Sequence, residues 1–138
     1  MKKTNSLRYL AIALCVFAIL GFGFLIYFNT YMSKTSRIGM DVNVGNVTGF
    51  NVDADAIHFG TLTKGSAGKR ELNLTGDEFR RKVYLFKKGE FSDWVYFSEN
   101  KFYLEPHESK LIEVTAVIPN EAEFGSYKGE IIVMMVKK

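Results

Sequence analysis

The run Ile112-Glu113-Val114-Thr115-Ala116-Val117-Ile118 is the longest clean alternation of apolar and polar side chains in the chain. Successive side chains of a strand point to opposite faces, so a period of two reads as a strand with one face buried. Pro119 ends it, because proline cannot donate to a ladder. A second such stretch, Tyr127, Gly129, Ile131, Val133 and Met135, follows after a short loop.

Working backwards, shorter pieces repeat the pattern: Phe102 and Leu104, Trp94 to Phe97, Val83 and Leu85, Leu72 and Leu74, Ile57 and Phe59, and Met40, Val42 and Val44, with Phe50 and Val52 as a further short piece. Turn signals separate them, among them Gly65-Ser66-Ala67-Gly68, Lys87-Lys88-Gly89 and Pro106-His107-Glu108-Ser109. Seven or eight strands within residues 40–138, with no helical crossover between them, predict two antiparallel sheets packed face to face. The expected fold is an all-β, Ig-like sandwich of Greek-key type, preceded by one N-terminal transmembrane helix.

That helix is read within the run Tyr9 to Ser33, 25 residues without a charge. Leu10 to Phe28 supplies 19 apolar positions, close to the roughly 20 that a bilayer core requires. Tyr9, Tyr27 and Tyr31 suit the two interfaces. The run exceeds the h-region of a cleaved signal peptide, and no A-x-A-like site follows it. The expected organisation is a cytoplasmic basic tail over 1–8, a signal anchor over 9–31, a linker over 32–39 and an extracytoplasmic domain over 40–138. Lys2, Lys3 and Arg8 before the helix place the N-terminus inside by the positive-inside rule.

Those three residues also supply the whole formal charge of +3. The remaining chain holds equal numbers of basic and acidic residues, so it has no net field to gather nucleic acid. The single cysteine, Cys15, lies in the apolar run, which leaves no disulfide and no cysteine-based metal site for the domain.

The final third resembles a known family. Leu104-Glu105-Pro106-His107-Glu108-Ser109, a strand, Ile118-Pro119, Ala122 and then Gly125-Ser126-Tyr127-Lys128-Gly129-Glu130-Ile131 is similar to the Ig-like NPCBM-associated domains of prokaryotic surface proteins. Ile57-His58-Phe59-Gly60-Thr61-Leu62 and Trp94 match the opening and the mid-domain tryptophan, so the likeness covers about residues 53–136. His107 stands where the pattern has glycine. The resemblance implies a non-catalytic accessory or adhesive module. Independently, Gly125 followed by Tyr127 suggests a tyrosine corner, with the hydroxyl bonded to backbone.

No catalytic constellation emerges. His58 and His107 are the only histidines, and a triad of Ser109, His107 and Asp93 lacks any nucleophile elbow. Asn51-Val52-Asp53-Ala54-Asp55 mimics the start of a calcium loop, but Ala56 and Leu62 occupy the glycine and glutamate positions. Asp53 and Asp55 remain candidates for an irregular metal site; no cofactor is expected. Asn46 and Asn73 head N-x-[ST] sequons. The basic runs Lys69-Arg70, Arg80-Arg81-Lys82 and Lys87-Lys88 read as solubilising edge protection.

Two features point outward. Most of the aromatics between Phe91 and Tyr103 belong in a core, with Tyr96 and Tyr103 as candidate ligand-stacking exceptions. In Ile131 to Val136 both faces are apolar, so Ile132, Met134 and Val136 are expected to meet a partner, a second copy or the segment 40–52. The expected role is a non-catalytic, membrane-anchored surface module for protein–protein interaction or scaffolding in a cell envelope. Carbohydrate or wall-polymer binding, or service as an accessory subunit of a membrane enzyme or filament, are the alternatives. The expected partners are the bilayer and another envelope protein or a second copy, with a glycan as an option and no nucleic acid.

Overall fold

A computed structural model describes residues 2–28, 33–46 and 56–137. It contains two compact units, Met1–Lys34 and Thr35–Lys138.

The first unit is one helix, α1, Lys2–Tyr27. It takes in the stretch expected to be a separate basic tail. Its segment Ser6–Tyr27 is apolar enough to cross a membrane, and its 22 residues span about 33 Å. That matches a hydrocarbon core of about 30 Å. A signal sequence meets the same test of length and composition. Large apolar side chains, Leu10, Phe17 and Phe24 among them, stand exposed along it. A helix apolar all round requires a nonaqueous surrounding.

The described residues of the second unit form eight strands: β1 Ser33–Val44, β2 Ala56–Leu62, β3 Ala67–Thr75, β4 Arg81–Gly89, β5 Val95–Phe97, β6 Lys101–Leu104, β7 Ser109–Val117 and β8 Gly125–Lys137. A short 3-10 turn, Ser92–Trp94, precedes β5. One sheet has the order β2-β1-β8-β4-β6 and the other β3-β7-β5. Their inward side chains share one core, with Met40, Phe59, Val83, Leu104, Ile131 and Val133 from the first and Leu72, Val95, Ile112, Val114 and Ala116 from the second. Two sheets facing each other over one apolar layer is the arrangement that the alternation predicts.

Two expectations change. β1 begins at Ser33, inside the span 32–39 read as linker, because the polar residues Ser33 to Arg37 extend the strand on its exposed side. Antiparallel pairing also does not hold throughout: β1 and β2 run parallel, with Met40 opposite Ile57 and Val44 opposite Leu62. A parallel neighbour needs a connection long enough to return the chain to its starting end, and residues 45–55 separate the two strands. The strand piece expected at Phe50 and Val52 lies outside the described residues.

The segment after β7 behaves as its sequence suggests. The Tyr127 hydroxyl donates to the Glu123 carbonyl at 3.0 Å, and its ring meets Trp94 edge-on at 4.8 Å. This is a tyrosine corner, pinning the start of β8 across the core's end. Further along, Gly129 faces Gly89 on β4. A Cβ on Gly129 would lie 2.7 Å from Lys88 O and from Met40 Cε, so the Met40 side chain occupies the notch that the glycine leaves.

Arg81 is the buried charge among the described residues, 1% exposed, and its neighbours explain it. It shares the inward phase of Val83 and Leu85 on β4. Its Nε donates to Asp77 Oδ1 at 3.1 Å and its NH2 group to Oδ2 at 2.8 Å. Asp77 Oδ1 also accepts from the Phe79 amide, and the Asp77 carbonyl accepts from His107 N at 3.0 Å. The pair therefore ties the β3–β4 loop to the turn before β7. In that turn Glu108 N donates to Glu105 O at 3.1 Å, and His107 sits at φ 59°. Pro106 second and a left-handed third residue is the pattern of a type II turn, which favours glycine at the third place.

Three stability changes follow. Asp77→Ala leaves Arg81 buried without its carboxylate and is expected to cost about 3 kcal/mol, whereas Arg81→Met costs less because the Asp77 carboxylate left behind is 26% exposed and keeps the Phe79 amide. His107→Gly removes the left-handed strain and is expected to add about 0.5–1 kcal/mol. Denaturant unfolding of the full chain in detergent, followed by Trp94 fluorescence, measures all three.

Candidate functional site

The outer face of the five-stranded sheet gathers the features that the core does not use. On β8 the inward residues Ile131 and Val133 are 0% and 1% exposed, and Ile132, Met134 and Val136 alternate with them on the other side. These three pair across to Phe86, Tyr84 and Lys82 of β4. Lys82 and Tyr84 pair in turn with Tyr103 and Lys101 of β6. The result is a continuous outward patch of aliphatic, aromatic and basic side chains over three strands.

Its apolar members are half-buried by one another. Ile132, Met134 and Val136 are partly covered by their cross-strand neighbours, while Phe86 is 48% and Tyr103 38% exposed. Tyr84 and Phe86 stack with centroids 6.5 Å apart. The segment 40–44 lies beside β8 as a strand and does not roof this face.

Cations cover the rings at the β6 side. Lys82 Nζ lies 5.4 Å from the Tyr84 centroid and 5.6 Å from that of Tyr103, and Lys101 Nζ lies 5.8 Å from Tyr84. The Arg80 guanidinium sits 4.8 Å over Tyr103 and pairs with Glu105 at 2.8 Å. A hydrogen bond with the Tyr84 side chain is the main cause that raises the Lys82 pKa above the usual 10.5, and Tyr103 adds to it. The charged form is therefore favoured: its interaction is complete below pH 10.5 and is lost only as the pH rises past the elevated value.

At the opposite side of the face, His58 Nδ1 and Asp41 Oδ2 are 2.6 Å apart on the parallel pair β2 and β1. His58 takes the outward phase of β2 and is half-buried there. The neighbouring polar pair is Asn43 and Thr61. A second fixed group, Arg70 Nε, donates to the His58 carbonyl at 2.8 Å, joining β3 of one sheet to β2 of the other. Lys87 Nζ does the same from β4 to the Val95 carbonyl of β5. The basic runs thus have divided duties. Arg81 is buried, Arg70 and Lys87 bridge the sheets, and Lys82 lies on the outer face. The reading of these runs as solvated edges missed this, although the phase of Arg81 with Val83 was visible.

The remaining candidates are scattered. Tyr96 is 55% exposed but stands on β5, in the other sheet from Tyr103, with Lys87 Nζ 5.0 Å from its ring. The two tyrosines therefore do not form one stacking platform. Phe91 and Phe102 are buried, and Trp94 and Phe97 pack against the core. Asp53 and Asp55 lie outside the described residues. No cluster of metal-ligating side chains occurs among the described residues. Asn46 is exposed, with the rest of its sequon outside the description; Asn73 is exposed on β3, and Thr75 of its sequon contacts the Ser109 hydroxyl at 3.0 Å. His107 and Ser109 sit at the β7 start, whereas Asp93 lies in the turn before β5, so the imagined triad is not assembled. Cys15 is exposed on α1.

Neighbouring residues of β8 should separate core from surface. Ile131→Ala is expected to cost about 3 kcal/mol, and Ile132→Ala less than about 1 kcal/mol. Equal costs by denaturant titration of the full chain would show that the outer face acts as core. Searches against protein-family models, curated proteins and solved structures found no match to this chain.

Proposed function

We propose that this chain is a membrane-anchored, non-catalytic surface module that binds another envelope or membrane protein, or a second copy of itself. In this reading α1 crosses the membrane with Lys2, Lys3 and Arg8 on the cytoplasmic side, and the sandwich stands outside. The module is of the Ig-like, NPCBM-associated kind that its final third resembles. A tether of this sort raises the effective concentration of the sandwich near other membrane proteins.

The observation that carries the reading is the outward side of β8 and β4. The central strands of a sheet that faces water on one side ordinarily present polar residues there. Here they present Ile132, Met134, Val136, Tyr84 and Phe86. A contiguous apolar and aromatic patch rimmed by lysines has the composition of a binding surface. Carbohydrate binding is the weaker reading, since Tyr96 and Tyr103 stand on separate sheets.

A photocrosslinker placed at Phe86 in the full chain, activated in intact membranes, is expected to yield one defined adduct. Met134→Lys, which puts a charge at the centre of the patch, is expected to reduce that adduct about tenfold or more while the unfolding midpoint stays close to that of the parent. An adduct pattern unchanged by Met134→Lys would rule the surface out.

A further inference from the structure

At one end of the sandwich the basic rim of the patch, Lys82, Lys101 and Tyr103, meets Phe79, Arg80 and Lys137, which lie beyond the patch. Strand directions identify that end. β2 feeds β3 through the turn 63–66, so Leu62 and Ala67 lie at one end and Thr75 at the other. β4 begins after the loop 76–80, at the Thr75 end, where Arg81 pairs with both Lys137 and Leu104. β1 runs parallel to β2 and therefore starts at this same end. The chain enters the sandwich here, and only residues 29–32 separate Phe28 from Ser33.

The side chains at this end combine rings and cations. Lys137 Nζ lies 3.7 Å from the Phe79 centroid, Arg80 covers Tyr103, and Lys82 lies between Tyr103 and Tyr84. Lys101 is one pair further along. No described carboxylate is within ion-pair distance of Lys82 or Lys101. The nearby acids are largely engaged. Asp77 holds Arg81, Glu105 holds Arg80, and the Glu108 carboxylate accepts from the Glu105 amide at 2.8 Å; Glu78 is exposed.

Tyrosine with lysine or arginine is the combination favoured at the headgroup level of a bilayer, where a ring has one apolar and one wet side. Lysine and arginine near an anionic surface are each worth about 1 kcal/mol, and that attraction fades within a Debye length. Residues 29–32 make five Cα steps between Phe28 and Ser33, at most about 18 Å of chain, a covalent limit that allows the entry end to reach the headgroups of a bilayer holding α1. We propose that this end, through Phe79, Arg80, Lys82, Lys101, Tyr103 and Lys137, docks on the anionic lipid headgroups of the membrane that holds the chain's own helix. Phe86 and Ile132 lie further along the strands from this end and stay accessible. This inference rests on the membrane anchoring proposed above and not on any protein partner.

The test uses the full chain in nanodiscs, of phosphatidylcholine alone or with phosphatidylglycerol added, read by hydrogen exchange over residues 79–84 and 101–104. Exchange is expected to slow in the anionic discs, by about fivefold for each lysine engaged. Lys82→Glu with Lys101→Glu is expected to abolish the difference, as is high salt. Tyr103→Ala should reduce it, with the unfolding midpoint as a check on folding. Equal exchange in both lipids, or protection untouched by the charge reversals, overturns the proposal. Protection that follows the number of copies per disc instead of lipid charge assigns the surface to a second copy and overturns it too. A chain that leaves the discs on alkaline washing overturns the anchoring itself, which separates that failure from a failure to dock.

Discussion

Burial of the inward residues of β7 and β8 against their opposite sheets is the interaction on which the rest of the sandwich depends. Ile112, Val114, Ala116, Ile131 and Val133 are 0–1% exposed and belong to one cluster with residues of every other strand. In a chain without a disulfide or a metal cluster among its described residues, this contact must outweigh the conformational entropy of ordering the domain. Everything peripheral, including the tyrosine corner, the Arg81–Asp77 clamp and the cross-sheet ties of Arg70 and Lys87, positions loops and edges around a layer already specified by period two.

That layer was legible because alternation is a backbone property that a single residue reports twice, once by its polarity and once by its phase. β7 and β8 could be read from Ile112 to Ile118 and from Tyr127 to Met135, and α1 from its uncharged length. Strand partners were less accessible. The parallel pairing of β1 with β2 depends on where the connection 45–55 leads, and neither strand's composition records its neighbour's direction. The strand character of Ser33 to Arg37 was hidden for a related reason. Its residues are exposed, so no apolar signal marks them.

The candidate surface was partly legible for the same physical reason. Ile132, Met134 and Val136 stood out because they break the polar half of the alternation. Their cross-strand companions Tyr84 and Phe86 did not, since a tyrosine and a phenylalanine in a sandwich read as core until pairing assigns a face. The basic triplet at 80–82 shows the opposite error. Composition groups the three residues together, whereas the pleat sends Arg81 into the core and its neighbours outward. In β strands, charge runs mean little until they are split by phase.

The notch at Gly129 has a mechanical consequence for β1. Met40 fills the space that a side chain would take there, which fixes how far β1 can advance along the sheet. A slip of one residue would send Gly39 or Asp41 inward and turn every β1 side chain over. A slip of two would keep the faces but release or take up about 7 Å of chain. The seating of one methionine thus acts as a stop on a ruler, holding β1 to a single register along the sheet.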